Sequence, residues 1–358
     1  MNSASFNQDA SCVSVGCSNG YKIFNCNPFS CFYVGGEGAI GQTEMLFNTS
    51  LVVTVGQGDD PVHSPRRLKL INTKRETIIC ELTFPTSIIK VLMNRQRMVV
   101  VLESQIFIYN ISSMKLLHTL ETPPNPAGVA DLSIQAESCV LVYPSGSCRP
   151  AVGSPQACAS GEFTVLDCMT LSPTNVVKAH RASLAYLSLS ADGTMLATAS
   201  TKGTIVRVFS IPAGTLLYQF RRGTYNSLIY SMVFNLNSSL LAVASSAGTV
   251  HIYQLTGAST DSSVSTDNEM QEYLSSKKKG YLPSIRKQLS KTKNMLFEQN
   301  SRDFAWFKLP GTPVSHVLGL PPLSNLIYVA TVDGNFYQYQ INTEAGGECI
   351  QVAHHSLL

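Results

Sequence analysis

Charge is scarce in this chain: Asp, Glu, Lys and Arg make up 14% of its 358 residues, against roughly 25% in an ordinary globular protein. Lys and Arg number 26 and Asp and Glu 23, a formal +3, so no chain-wide positive field draws it to nucleic acid irrespective of sequence, and no nucleic-acid partner is expected. Long apolar runs are missing too. A stretch such as MVVVL at 98–102 is far short of the ~20 residues that a helical membrane span needs. The opening MNSASFNQDA has no positive segment leading into an apolar one, so neither secretion nor a transmembrane anchor is expected and the setting reads as cytoplasmic. The ten cysteines, at 12, 17, 26, 31, 80, 139, 148, 158, 168 and 349, include no C-x-x-C pair and no histidine at zinc-finger spacing, which argues against a metal site. They are expected to be reduced thiols packed as small apolar side chains in strands. Cys148 and Cys158, in a Gly/Ser/Pro-rich stretch, are the pair for which a disulfide is considered. Catalytic signatures are absent as well: there is no G-x-S-x-G, H-E-x-x-H, Walker A or paired-carboxylate arrangement, and GGEG at 35–38 lacks the βαβ context of a nucleotide cradle. The chain reads as no enzyme, with no cofactor.

What the sequence has in plenty is one repeated phrase. Apolar residues are 44%, enough to bury a sizeable core. An apolar strand, a turn of small residues and a second strand rich in Val, Ile, Tyr and Phe recur as SCVSVGCSNGYKIF, MLATASTKGTIVRVF, LLAVASSAGTVHIYQL and LIYVATVDGNFYQYQ. Their turn glycines are Gly20, Gly203, Gly248 and Gly334, with a fainter copy, ASGEFTVLD, at Gly161. Gly203 follows Gly161 by 42 residues and Gly248 follows Gly203 by 45, which is the period of a propeller blade. The 86 residues from Gly248 to Gly334 make one blade plus an insertion of about 40. Weaker copies at 52–82, at 88–120 and in ADLSIQAESCVLVYP bring the count to seven. The expected fold is all-β, a single seven-bladed β-propeller of WD-repeat type over 1–358, because radial repetition leaves only short, protected sheet edges. A pair of β-sandwiches would also have short strands and frequent turns, but does not require the repeated phrase. A monomer in solution is expected.

Two stretches break the pattern. Residues 144–161, PSGSCRPAVGSPQACASG, read as an extended loop between strands of blade 4. Residues 256–303 interrupt blade 6, first as a polar, mildly acidic tract and then as a basic one, with Lys277, Lys278, Lys279, Arg286, Lys287, Lys291 and Lys293 and no acidic residue between 277 and 297. Pro283 suits a first helical turn, after which Ile285, Leu289 and Leu296 share one face bordered by Arg286 and Lys293. That is the pattern of a helix lying in a membrane interface; a solvated linker has the same composition.

Phe220, Arg221, Arg222 and Gly223 close blade 5. Side chains alternate along a strand, so two adjacent arginines serve two pockets rather than one. Guanidinium forks match phosphate oxygens bidentately, and small hydroxyl donors stand on both sides. Blade 5 supplies Thr198, Ser200, Lys202, Thr204 and Arg207, with His180 at the turn entering the blade, where a protonated imidazole would donate from both nitrogens. Blade 6 supplies Ser245, Ser246, Thr249 and His251. Taken singly, each of these residues also suits an ordinary clip between strands.

FRRG between a TKGTIVRVF strand and a GTVHIYQL strand resembles the signature of the PROPPIN family, WD-repeat β-propellers that bind polyphosphoinositides in autophagy. The likeness extends to FNQD at 6–9, PRRLKL at 65–70, NRQRMVVVLE at 94–103, MKLLHTLETPPNPAG at 114–128, ATASTKGTIVRVFSIP at 197–212 and GGEC at 346–349. The resemblance implies two pockets for phosphatidylinositol 3-phosphate and the 3,5-bisphosphate. The first would use His180, Thr198, Ser200, Lys202, Thr204, Arg207 and Arg221, and the second Arg222, Ser245, Thr249 and His251. It further implies that Ile285, Arg286, Leu289, Lys293 and Leu296 belong to a membrane-inserting loop, and that Pro65 and Arg66 dock a lipid-transfer partner of the autophagy-related protein 2 type. Recruitment from the cytoplasm to preautophagosomal, endosomal or vacuolar membranes follows from the same likeness. Relatives often carry a basic residue after FRRG where this chain has Thr224, Tyr225 and Asn226, so the second pocket is expected to be the less positive. The rival reading is a protein-interaction scaffold without lipid binding, which PRRL and NRQR would suit.

Overall fold

The computed structural model describes residues 1–36, 38–58, 61–135, 137–145, 161–255, 303–311 and 314–358. Among these, every regular element is a strand, and the strands form seven antiparallel sheets arranged as a seven-bladed β-propeller. Blade 1 comprises Ser3–Phe6, Cys12–Cys17, Gly20–Cys26 and Phe29–Gly35. Blade 2 runs from Ile40 to Thr83, blade 3 from Lys90 to Glu121 and blade 4 from Asp131 to Lys178. Blade 5 is built from Leu184–Leu189, Met195–Ser200, Ile205–Ser210 and Leu216–Arg221. Blade 6 has Ile229–Phe234, Leu240–Ser245, Thr249–Gln254 and Ala305–Lys308, and blade 7 has His316–Gly319, Leu326–Thr331, Asn335–Gln340 and Ile350–Ser356.

Position in the blade explains the composition of each strand. A second strand such as Arg97–Val101 is buried throughout, because neighbouring blades cover both its faces and only apolar runs tolerate that. A fourth strand such as Thr77–Thr83 lies at the rim and alternates exposed with half-buried residues. One apolar cluster fills each of the seven junctions between blades. Cys12, Cys26, Cys139, Cys168 and Cys349 sit within these clusters as free thiols, which is the small-hydrophobe role expected of them. Cys148 and Cys158 lie outside the described residues, as does nearly all of the blade 4 loop.

The turn glycines divide into two kinds. Gly20, Gly203, Gly248 and Gly334 have positive φ, a conformation open to glycine at little cost. Gly161 does not. It is needed instead for close approach, since a Cβ there would collide with the His180 carbonyl oxygen, and its own carbonyl accepts the His180 N–H at 2.9 Å.

The ring closes without a strand shared between its ends: blade 1 is wholly N-terminal and blade 7 wholly C-terminal. Side chains join them. The Phe6 ring lies 6.4 Å from Tyr328 and 6.3 Å from Phe336, Phe29 stacks on His355 at 4.3 Å, and Gln338 Nε2 donates to the Cys26 carbonyl at 2.8 Å. A second link ties blade 7 back to blade 6. Gly347–Glu348, between the last two strands of blade 7, adds a short parallel fifth strand beside Ala305–Lys308, which gives GGEC a structural task.

The innermost strands surround an axial cavity of about 270 Å³. Glu44, Lys90 and Asp131 line it and are bound across blades: Ser5 donates to Glu44 at 2.7 Å, Lys90 Nζ donates to the Ala130 carbonyl at 2.8 Å, and the Leu189 N–H donates to Asp131 at 2.7 Å. Burial pushes the Glu44 carboxyl up to about 7.

Candidate anion sites on either side of blade 5

In the blade 5 ladder Thr198 lies opposite Arg207, Arg207 opposite Gln219, and Ile205 opposite Arg221. Directly opposed residues share a face, so Thr198, Arg207, Gln219 and Arg221, with Ser200 two residues beyond Thr198, stand on one side of the sheet. This side faces blade 4, whose end supplies the Ala179 carbonyl that accepts Arg207 Nη1. Val206 and Phe220 occupy the other side, where Phe220 stacks on Tyr253 of blade 6 with centroids 4.4 Å apart. Arg222 extends the ladder by one step, its N–H donating to the Thr204 carbonyl at 2.9 Å. Alternation therefore sends Arg221 toward blade 4 and Arg222 toward blade 6.

On the blade 4 side a closed circuit of hydrogen bonds holds the first group. Arg207 Nη1 approaches His180 Nδ1 at 3.5 Å, His180 Nε2 is 2.9 Å from the Thr198 hydroxyl, and that hydroxyl donates back to the Arg207 carbonyl at 3.3 Å. Gln219 accepts Arg207 Nε at 2.8 Å. Burial and the Arg207 guanidinium push the His180 imidazole down to about 4, so it is neutral at neutral pH and both its nitrogens are engaged. This corrects the expectation of a doubly donating His180: the ring fixes Arg207 and Thr198 and has no donor left over. Arg221 is exposed and makes no hydrogen bond or ion pair among the described residues. Lys202 is exposed at the turn, and Ser200 is buried. Thr204 lies one residue before the strand Ile205–Ser210, and its carbonyl accepts the Arg222 N–H.

The second group is built differently. Arg222 is only 8% exposed, with Nε donating to the Gly203 carbonyl and Nη2 to the Tyr225 carbonyl, each at 2.6 Å. Ser245, Thr249 and His251 share the face of blade 6 turned to blade 5, as Val243 lies opposite His251 and packs with Phe220 and Tyr253. The hydroxyls of Ser245 and Tyr253 are buried with no hydrogen-bond partner among the described residues. His251 Nδ1 lies 2.8 Å from Asp303 Oδ2.

Four residues on these faces escaped the sequence reading. Arg181 is exposed and close enough to Arg207 to act on its charge. Trp306 and Lys308 lie opposite His251 and Thr249, a placement that needs the register across the insertion. Asp303 follows the insertion directly, and only the fold brings it to His251. Ile285, Arg286, Leu289, Lys293 and Leu296 lie outside the described residues.

Far from this pair of faces, Pro65 and Arg66 precede the third strand of blade 2, Arg67–Asn72. Arg66 is exposed, tethered through Nε to the Phe84 carbonyl at 2.9 Å, while Arg67 pairs with Glu81 at 2.9 Å. The arginines of NRQR are largely occupied. Arg97 is buried and donates to the Cys168 carbonyl at 3.0 Å, and the Arg95 guanidinium lies 4.7 Å from the Phe47 ring centroid.

The chain that forms this seven-bladed ring matches, over residues 1–358, a family profile described as PROPPIN. The chain belongs to the PROPPIN family. This PROPPIN is 46% identical over 390 residues to autophagy-related protein 18 of Yarrowia lipolytica, spanning 100% of the chain and 96% of that relative. It is 42% identical to autophagy-related protein 18 of Mycosarcoma maydis, over 99% of the chain and 92% of the relative. Among solved structures, the complex of KlAtg21 with the coiled coil of AgAtg16 matches with a TM-score of 0.78 and 31% identity, over 99% of this chain and 98% of that one. Kluyveromyces lactis Hsv2 matches with a TM-score of 0.76 over 99% and 98%, and at 18% identity this is a likeness of fold.

Proposed function

We propose that this PROPPIN is a phosphoinositide effector without catalytic activity. It binds phosphatidylinositol 3-phosphate and phosphatidylinositol 3,5-bisphosphate through the two faces of blade 5 and scaffolds autophagy machinery on the membrane that carries them. The observation that supports this best is the state of Arg221: an exposed guanidinium with no hydrogen bond or ion pair among the described residues, on the same face as Arg207, where the charges that act on Arg207 and His180 among the described residues are cationic. Such a group gains little for the fold and suits a phosphate held by a bidentate fork. Two modest headgroup contacts on one bilayer reinforce each other through effective concentration, and the basic, amphipathic 277–297 stretch would add a third. Recruitment is then peripheral, from the cytoplasm to preautophagosomal, endosomal or vacuolar membranes.

The test is co-sedimentation with liposomes containing phosphatidylinositol 3-phosphate. Arg221→Thr is expected to weaken binding at least tenfold with an unchanged melting temperature. Unchanged sedimentation would refute the assignment.

A protein-docking role beside lipid binding is favoured by one observation, the exposed and singly tethered Arg66. With Pro65 it would receive the lipid-transfer partner of the autophagy-related protein 2 type. Arg66→Ala is expected to reduce capture of that partner while leaving liposome binding as it was; the reverse pattern would exclude this surface.

A further inference from the structure

We propose that the second site selects headgroups bearing one phosphate whereas the first accepts two, and that Asp303 sets the difference. This rests on the reading of both faces as phosphoinositide sites and states what distinguishes them. The blade 4 side holds Arg207 and Arg221, with Arg181 close enough to act on the charge of Arg207, and its imidazole lies beside the Arg207 guanidinium. The blade 6 side holds Arg222, with two of its nitrogens committed to backbone carbonyls, and the exposed ammonium of Lys308 opposite Thr249. Against these stands the Asp303 carboxylate, 2.8 Å from His251. The carboxylate thus offsets any positive charge the imidazole could bring to the site.

Three further observations say what the site offers instead. His251 Nε2 has no partner among the described residues, since Nδ1 alone faces Asp303. The Ser245 and Tyr253 hydroxyls are buried and unpartnered on the same face. Arg222 and Asp303 act with opposite signs on that Tyr253 hydroxyl, which places both charges around one point. Positive charge is thus not in surplus. One phosphate can be held by Arg222 and Lys308, with an inositol hydroxyl on His251 Nε2. A second phosphate adds a charge of about −1.5 to −2, and the carboxylate opposes it.

The experiment compares liposomes carrying equal fractions of phosphatidylinositol 3-phosphate or the 3,5-bisphosphate, using the full chain with Arg221→Thr so that the second site dominates. Sedimentation is read beside the fluorescence of Trp306, the chain's single tryptophan, which lies opposite His251. This variant is expected to prefer the monophosphate. Adding Asp303→Asn should raise bisphosphate binding by about 3- to 10-fold with a smaller change for the monophosphate, and Asp303→Glu should restore the preference. Lys308→Gln, which removes one of the two cations that hold the phosphate, should weaken binding of both lipids. A ratio that does not move with Asp303→Asn overturns the proposal. Failure of the underlying reading looks different: wild type would then sediment with neither liposome, or Arg221→Thr alone would bind as wild type does.

Discussion

Arg221 and Arg222 are consecutive residues with the same side chain, and the end of one strand sorts them into different tasks. Arg221 is exposed and unpaired among the described residues, while Arg222 is buried and spends two nitrogens on the carbonyls of Gly203 and Tyr225. Arg222 is tied into the turn after the strand, and Arg221 is not. A motif that looks symmetrical in sequence is therefore asymmetrical in its contacts, and experiments that replace both residues at once blend two effects.

The largest expected effect comes from that double replacement. Arg221→Thr with Arg222→Thr should lower liposome affinity by about 10² to 10⁴, the gain that linked weak contacts supply, measured by sedimentation against lipid concentration. Retention of even a tenth of the wild-type affinity would mean that the insertion or another surface dominates. Next in size is the insertion itself: charged replacements at Ile285, Leu289 and Leu296 should leave binding of soluble headgroup untouched and reduce liposome binding roughly tenfold. Equal loss in both assays would argue against a bilayer contact.

The single replacements then separate the two arginines by stability. Arg222→Thr strands the carbonyls of Gly203 and Tyr225 and should cost about 1–3 kcal/mol, seen as a melting point lower by several degrees, whereas Arg221→Thr should melt as wild type does. Equal melting points would erase the distinction. Smallest is a contrast in pH dependence between His180, beneath the Arg221 face, and Glu44 in the axial cavity. His180 has a folded pKa of about 4, below its ordinary 6.5, so its contribution is intact above about pH 6.5 and is lost as pH falls toward 4. Glu44 has a folded pKa of about 7, above its ordinary 4.5, so its contribution is intact below about pH 4.5 and is lost as pH rises through 7. His180→Gln should flatten the acid side of a melting-temperature profile and Glu44→Gln the neutral side, each by an amount on the order of 1 kcal/mol.

The blades were legible because their punctuation is local: a glycine at positive φ between two apolar runs needs only neighbouring residues to be recognised. The hydroxyl and basic residues of the first face were legible for the same reason, since Thr198, Ser200 and Arg207 belong to one hairpin. Long-range facts were not. The neutral state of His180 depends on burial between blades and on a guanidinium 27 residues away in sequence, and the arrival of Asp303 beside His251 spans the whole insertion. Ring closure was likewise hidden, because stacking between Phe29 and His355 joins opposite ends of the chain.

That closure has a consequence for biogenesis. Blades 1 to 5 each take their strands consecutively from the chain, so a nascent chain leaving the ribosome can finish each sheet in turn, with no orphan strand waiting for a distant segment. Only the clasp of Gly347–Glu348 on blade 6 and the aromatic seam need residues from blade 7. Met1 and Leu357 both pack at that seam, so tags fused near either would sit beside it.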